Sequence, residues 1–175
     1  MDNIDTYLNK LTLIVGDTNS GKTLRTTRIL ELFIAEGLAD EIAVLDLAPD
    51  QVQRIGGKMA LPPDVPLLYK TAGIFAPRLM GKDENHTERL AEENARTIEG
   101  LFSEVRQQEK SILFINDASL YLQAGDPERF TAFLETAETR IVNAYYGKTF
   151  ADSSLSRRER KRIEDLMKQC DQLIS

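Results

Sequence analysis

The sequence predicts an α/β protein, a three-layer α/β/α sandwich built on a mainly parallel sheet. Three observations carry this expectation. Short apolar runs alternate with longer amphipathic stretches along the whole chain. The runs are apolar on both alternating positions, as strands covered on both faces are. The stretches between them are long enough to hold the crossover helices that parallel strands need.

The elements follow in order. Leu11-Thr12-Leu13-Ile14-Val15 reads as the first buried strand, and residues 22–36 as a helix. Ile42-Ala43-Val44-Leu45-Asp46-Leu47 is the second strand. Residues 48–66 contain Gly56, Gly57, Pro62, Pro63 and Pro66 and read mostly as loop. Leu67-Leu68-Tyr69-Lys70 reads as a short edge strand. A long helix spans about 84–109, with Leu90, Ile98, Leu101, Phe102 and Val105 on one face. Ile112-Leu113-Phe114-Ile115 is another strand. Asp126-Pro127 opens a helix as an N-cap followed by proline, and Phe130, Phe133, Leu134 and Ala137 line its inner face. Arg140 to Tyr145 reads as a strand ended by Gly147. Ser156-Arg157-Arg158-Glu159 has the form of a capping box and opens the last helix. Its buried stripe is Ile163, Leu166, Met167 and Cys170. Asp171 to Ser175 reads as a final short strand. No repeat, low-complexity tract or linker interrupts the pattern, so residues 1–175 read as a single domain.

Composition narrows the function classes. No apolar run reaches the length of a membrane span. The acidic start, Met1-Asp2-Asn3-Ile4-Asp5, does not resemble a secretory signal, so a cytoplasmic location is expected. One cysteine, Cys170, rules out an internal disulfide, and one histidine argues against a zinc site. The net charge of −6 disfavours a nucleic-acid partner over the whole surface.

The chemistry concentrates in Gly16-Asp17-Thr18-Asn19-Ser20-Gly21-Lys22-Thr23. This stretch fits G-x-x-x-x-G-K-[ST], between an apolar strand and a helix. Backbone N–H groups in such a loop converge at a helix N-terminus, where the dipole favours an anion. Lys22 is placed to reach the β- and γ-phosphates of a nucleoside triphosphate, and the Thr23 hydroxyl to ligate Mg²⁺. A second segment, Lys110 to Asp117, is an apolar strand ending in Asn116 and Asp117. Asp117 is expected to hold Mg²⁺ opposite Thr23. Asn116 stands where an apolar residue is usual, and can orient a metal-bound water or bond to the neighbouring loop.

Together these segments resemble the P-loop NTPase superfamily, with Walker A at Gly16–Thr23 and a Walker B-like element ending at Asp117. The resemblance implies a P-loop NTPase fold and a Mg²⁺-dependent protein that hydrolyses ATP or transfers its γ-phosphoryl group. No N-K-x-D run is present, which favours ATP over GTP. Many hydrolytic members carry Glu after the Walker B Asp, whereas Ala118 follows Asp117 here. The base is then expected elsewhere. Asp46 at the end of the second strand is the first candidate, with a loop-capping role equally open, and Asp17 is the second. Arg78, Lys82, His86 and Arg89 form one source of positive charge, as a substrate loop would. Arg157, Arg158, Arg160, Lys161 and Arg162 form another, though interleaved acids favour a solvated face. Asn143, Tyr145 and Tyr146 end a strand near the expected site. Two other functions stay open. One is a small-molecule kinase with its acceptor near Asp46 and the Arg78 loop. The other is a slow nucleotide-dependent switch acting on a protein partner or as a homo-oligomer.

Overall fold

The computed structural model describes residues 3–175; Met1 and Asp2, part of the acidic start, lie outside the described residues. Six strands form one sheet: β1 (Leu11–Gly16), β2 (Ile42–Asp46), β3 (Leu68–Thr71), β4 (Ile112–Asn116), β5 (Thr139–Tyr145) and β6 (Gln172–Ile174). Their order is β3-β2-β4-β5-β1-β6, and every pairing is parallel. Because all strands run the same way, every strand's carboxyl end meets one edge of the sheet, where α/β proteins form their crevices.

Among the described residues six α-helices lie between the strands: α1 (Lys22–Ala35), α2 (Pro77–Met80), α3 (Glu84–Arg106), α4 (Ser119–Leu122), α5 (Pro127–Leu134) and α6 (Ser154–Gln169). The period of two in each strand divides the core into two layers. Ile14, Ile42, Val44, Ile112, Phe114 and Ile141 meet Ile29, Leu30 and Phe33 of α1 on one face. Leu13, Leu45, Leu113, Ile115 and Val142 meet Ile98, Phe102, Phe130, Phe133 and Ile163 on the other. The helices after β1 and β5 thus cover opposite faces, and the two strands are neighbours. That divergence opens a crevice between them. On the α3 side Phe102 stacks on Phe133 at 4.2 Å and meets Tyr121 edge-on at 4.9 Å, tying α3, α4 and α5 into one aromatic cluster.

The structure refines several expected boundaries. The long helix ends at Arg106 rather than near 109, and the four-residue helices α2 and α4 were not expected. The last helix begins one turn's reach before the Ser156 capping box. Ser153 is its N-cap, with extended backbone and a side chain that accepts the Ser156 N–H. Ser156 is therefore inside the first turn, and Glu159 is free for another partner. No helix among the described residues is long and apolar enough to cross a membrane.

Candidate active site

The site is built where β1, β4 and β5 end. The chain leaves β1 at Gly16, whose missing side chain gives room to Ser20, and turns through Asn19 and Gly21 with φ of 55° and 87°. Gly21 meets no neighbour that would exclude a side chain, so its left-handed backbone is the reason for glycine there. Gly21 is also the N-cap of α1, and among the described residues no side chain caps the start of this helix. Other helices begin differently: the side chains of Asp83, Asp126 and Ser153 cap the N-termini of α3, α5 and α6. The start of α1 keeps its orphan N–H groups and positive dipole end for something else.

Asp17 fastens this loop rather than facing the crevice. Its carboxylate accepts from the Thr149 hydroxyl at 2.5 Å, the Lys148 N–H at 3.0 Å and the Thr18 N–H at 2.7 Å. Those bonds, the Thr149 hydroxyl first, pull its pKa from 3.8 to about 2. Gly147 is required there, because a Cβ would overlap the Asp17 carboxylate. Lys22 donates to the Asp17 carbonyl at 2.5 Å. Burial holds its pKa below the ordinary value, against the attraction of Asp117 and Asp17.

Beneath α1 runs a row of buried polar side chains. Asp46 and Asn116 are register partners on β2 and β4, and each continues the α1 face two residues after Val44 or Phe114. Asn143 continues the row on β5. The amides are oriented by one fixed donor. The Asp117 backbone N–H donates to Asn143 Oδ1 at 2.8 Å, so Asn143 Nδ2 must face Asn116 Oδ1 and Thr26 Oγ1, each at 2.8 Å. Asn116 Oδ1 therefore also takes the Thr23 hydroxyl at 3.2 Å, and Asn116 Nδ2 donates to Asp46 at 2.8 Å.

Asp46 itself is sealed, with 0% exposure. Besides Asn116 it accepts the Met59 N–H at 2.7 Å, the Tyr69 hydroxyl at 2.9 Å and the Ala48 N–H at 3.3 Å. Four donors occupy its lone pairs, and it does not line the crevice. The structure brings Thr23 to Asn116, and reaches Asp46 only through that amide.

Asp117 leaves the row. Its backbone turns left-handed at φ 60°, which carries the side chain off the strand end into the crevice wall. Its Oδ1 is buried and has no hydrogen-bond partner among the described residues. Burial raises its pKa from 3.8 to about 6, and the Glu159 charge adds to this, while Ser119, Lys22 and Arg78 oppose it.

The crevice is a cavity of about 420 Å³. Its lining includes Thr18–Thr23, Asp117, Ser119 and Asn143 together with the apolar Pro49, Ile55, Pro77, Leu79 and Leu120. Asn94 of α3 pins the approach to α2 by bonding both the N–H and the carbonyl of Phe75. That places Arg78 of α2 over the cavity. Its guanidinium grips Glu159 with both nitrogens at 2.9 and 3.0 Å and lies 4.1 Å above the Phe150 ring. Gln123 Nε2 also donates to Glu159, at 2.7 Å. Burial raises the Glu159 pKa, while Arg78 and Gln123 hold it down.

The second basic group is spent on other partners. Arg157 pairs with Asp152, Arg158 with Glu88, Arg160 with Glu164 and Lys161 with Asp165, while Arg162 donates to the Leu122 carbonyl. Tyr146 lies under Arg160, and Tyr145 beside Arg78 and Phe150. Sequence reasoning missed Glu159 and Gln123. The signal for Glu159 was present: it falls on the buried stripe Leu155, Glu159, Ile163 and Leu166, where a lone acid needs a partner. No protein-family profile matches this chain, and no curated protein does either.

Proposed function

We propose that the chain is a P-loop nucleoside-triphosphatase or phosphoryl transferase that binds ATP with Mg²⁺ at Gly16–Thr23. The observation that carries the reading is the start of α1, which no side chain among the described residues caps, with Lys22 beside it and Asp117 lining the same cavity. The residues fit the nucleotide and its metal. The loop N–H groups and Lys22 receive phosphate oxygens. Thr23 donates its proton to Asn116 and keeps its oxygen lone pairs for a cation. Mg²⁺ takes few protein ligands beside phosphates and water, and when bound it neutralises charge on the β- and γ-oxygens.

The roles divide as follows. Lys22 exchanges the Asp17 carbonyl for phosphate. Thr23 would hold the metal, its hydroxyl oriented by donation to Asn116. Asp117, which lines the same cavity, would hold the metal opposite Thr23. Asp46 is a positioning residue that holds Asn116. Arg78 lies at the cavity edge, where it can stabilise charge on the transferred group.

The test is calorimetric titration of Mg·ATP into the parent and Lys22→Ala, with ³¹P NMR of the same samples. The variant should bind at least tenfold more weakly while remaining folded, because the Lys22 head touches only loop atoms. Equal affinity in a folded variant would overturn the phosphate-site assignment.

A further inference from the structure

The segment that follows β2 walls the cavity without being fastened to the rest of the chain. Ile55, Gly56 and Gly57 line the cavity together with Thr18–Thr23. Yet among the described residues no hydrogen bond or ion pair joins residues 50–57 to anything outside that range. The two bonds they make are to each other. The Val52 N–H donates to the Ile55 carbonyl at 3.0 Å, and the Ile55 N–H to the Val52 carbonyl at 2.9 Å. These bonds close a hairpin turn whose central residues, Gln53 and Arg54, are both left-handed, with φ of 51° and 63°. The turn therefore moves as one piece.

The neck of this segment is fixed. Lys58 gives its ammonium to the Ala48 carbonyl at 2.7 Å, which draws the two ends together. The same ammonium donates to the Thr71 hydroxyl at 2.8 Å and the Ala72 carbonyl at 3.0 Å, which ties the neck to the end of β3. Asp46 holds the next residue by accepting the Met59 N–H at 2.7 Å. Gly56 and Gly57 stand between the turn and this staple, with φ of 75° and 128°. A side chain at Gly57 would meet no neighbour, so backbone freedom is the reason for glycine there. A turn tied only at its neck, with two glycines beside the neck, has the parts of a hinged loop.

Arg54 is at the tip. It is exposed and has no acidic partner among the described residues. The cations that line the cavity differ. Lys58 has three acceptors, Arg78 is paired with Glu159, and Lys22 belongs to the phosphate loop itself. The segment's other charge, Asp50, lies next to the buried Pro49 at the fixed end. We infer that residues 50–57 form a flap that closes over the bound nucleotide and brings the Arg54 guanidinium onto its phosphate oxygens. The inference rests on the nucleotide reading above and adds a binding residue from outside the Gly16–Thr23 loop. Closure breaks no bond to the rest of the chain, and the phosphates supply the acceptors that Arg54 lacks.

The experiment separates this inference from its foundation. Calorimetry with Mg·AMPPNP first establishes nucleotide binding; no binding removes the nucleotide reading and this one with it. Limited trypsin digestion of the intact chain, followed by mass spectrometry, then reads the flap. The free protein should be cut after Arg54. Saturating Mg·AMPPNP should slow that cut at least about tenfold, because closure covers the tip. Cleavage after Arg106, at the opposite edge of the sheet, should change little. Arg54→Ala should bind Mg·AMPPNP at least about tenfold more weakly, as the loss of a bond between charged groups requires, and Arg54→Lys should recover part of the loss. The double variant Gln53→Asn/Arg54→Gly suits the left-handed turn and removes the cation, so it should show the same loss without a misfolded turn. Nucleotide binding with no cut after Arg54 in the free protein, with an unchanged rate of that cut, or with parental affinity in the double variant overturns the inference and leaves the nucleotide reading intact. Equal slowing after Arg54 and Arg106 also overturns it, because the nucleotide then stabilises the chain as a whole.

Discussion

Asp117→Asn should make the protein more stable and inactive at once. The carboxylate is held in the cavity wall with a pKa raised from 3.8 to about 6, chiefly by burial. At ~1.4 kcal/mol per pH unit, the ionised form costs at most about 3 kcal/mol at pH 7. Residual exposure and the loss of attraction to Lys22 reduce the expected gain to about 1–2 kcal/mol. The backbone does not oppose the change, since φ is 60° there and asparagine tolerates that conformation well. For a chain of this size, such a gain raises Tm by about 2–8 °C. The pH dependence is the sharper part. As pH falls below the unfolded value of 3.8 the carboxyl becomes protonated in both folded and unfolded chains, and the substitution should approach neutrality. As pH rises from about 4 through about 6 the unfolded chain gives up its proton more readily, so the parent loses stability and the variant does not. Thermal melts of both proteins from pH 4 to 8 provide the assay. A variant less stable than the parent at pH 7, or a gain independent of pH, would refute the account of a strained site carboxylate.

The Asp17 latch runs the opposite way: its pKa of about 2 means that its contribution is full above about pH 4 and fades as pH falls toward 2, so melts of Asp17→Asn over that range should lack this acid-side loss. Arg78→Ala should cost about 3–5 kcal/mol by leaving Glu159 buried and unpaired, and the double variant Arg78→Ala/Glu159→Leu should recover much of it; urea unfolding of the two variants checks both expectations.

The layout of the fold is legible because parallel strands covered on both faces are apolar at every position. Ile112 to Ile115 and Ile42 to Leu45 can hardly be read otherwise. What escapes is local. The helices α2 and α4 have four residues each and so no period to detect. The start of α6 is misplaced because Ser153 and Ser156 are both competent caps, and only the backbone turn decides between them. In the site, the Gly16–Thr23 loop is read from sequence since its chemistry is contiguous. The roles of Asp46, Asn116 and Asp117 are not, because they depend on which strands are neighbours. β2, β4 and β5 lie side by side although long helices and loops separate them in the chain.

That adjacency explains why an amide stands at 116. Asp46 lies beside it, fixed by the Met59 N–H and Tyr69 hydroxyl on Oδ2 and by Asn116 and the Ala48 N–H on Oδ1. A carboxylate at 116 would face Asp46 across a contact of 2.8 Å, and two buried like charges at that distance cannot both ionise. Asn116 cannot turn over to suit a new neighbour, since Asn143 Nδ2 and the Thr23 hydroxyl hold its oxygen. Each single exchange is therefore harmful. Asn116→Asp sets acid against acid, and Asp46→Asn sets donor against donor, each at a cost of about 2–3 kcal/mol. The double exchange Asp46→Asn/Asn116→Asp repairs both. The amide oxygen then standing at position 46 accepts from Met59 and Tyr69, the amide nitrogen donates to the carboxylate at position 116, and only the long Ala48 bond is lost. Stability should return to within about 1 kcal/mol of the parent, a coupling of several kcal/mol between neighbours in one network. The exchange would also move a full negative charge next to Thr23, so Mg²⁺ dependence of nucleotide binding should steepen. Additive losses in urea melts of the double variant would show that the row is not one connected network, and Asp46 would then have to be placed in the chemistry by another route.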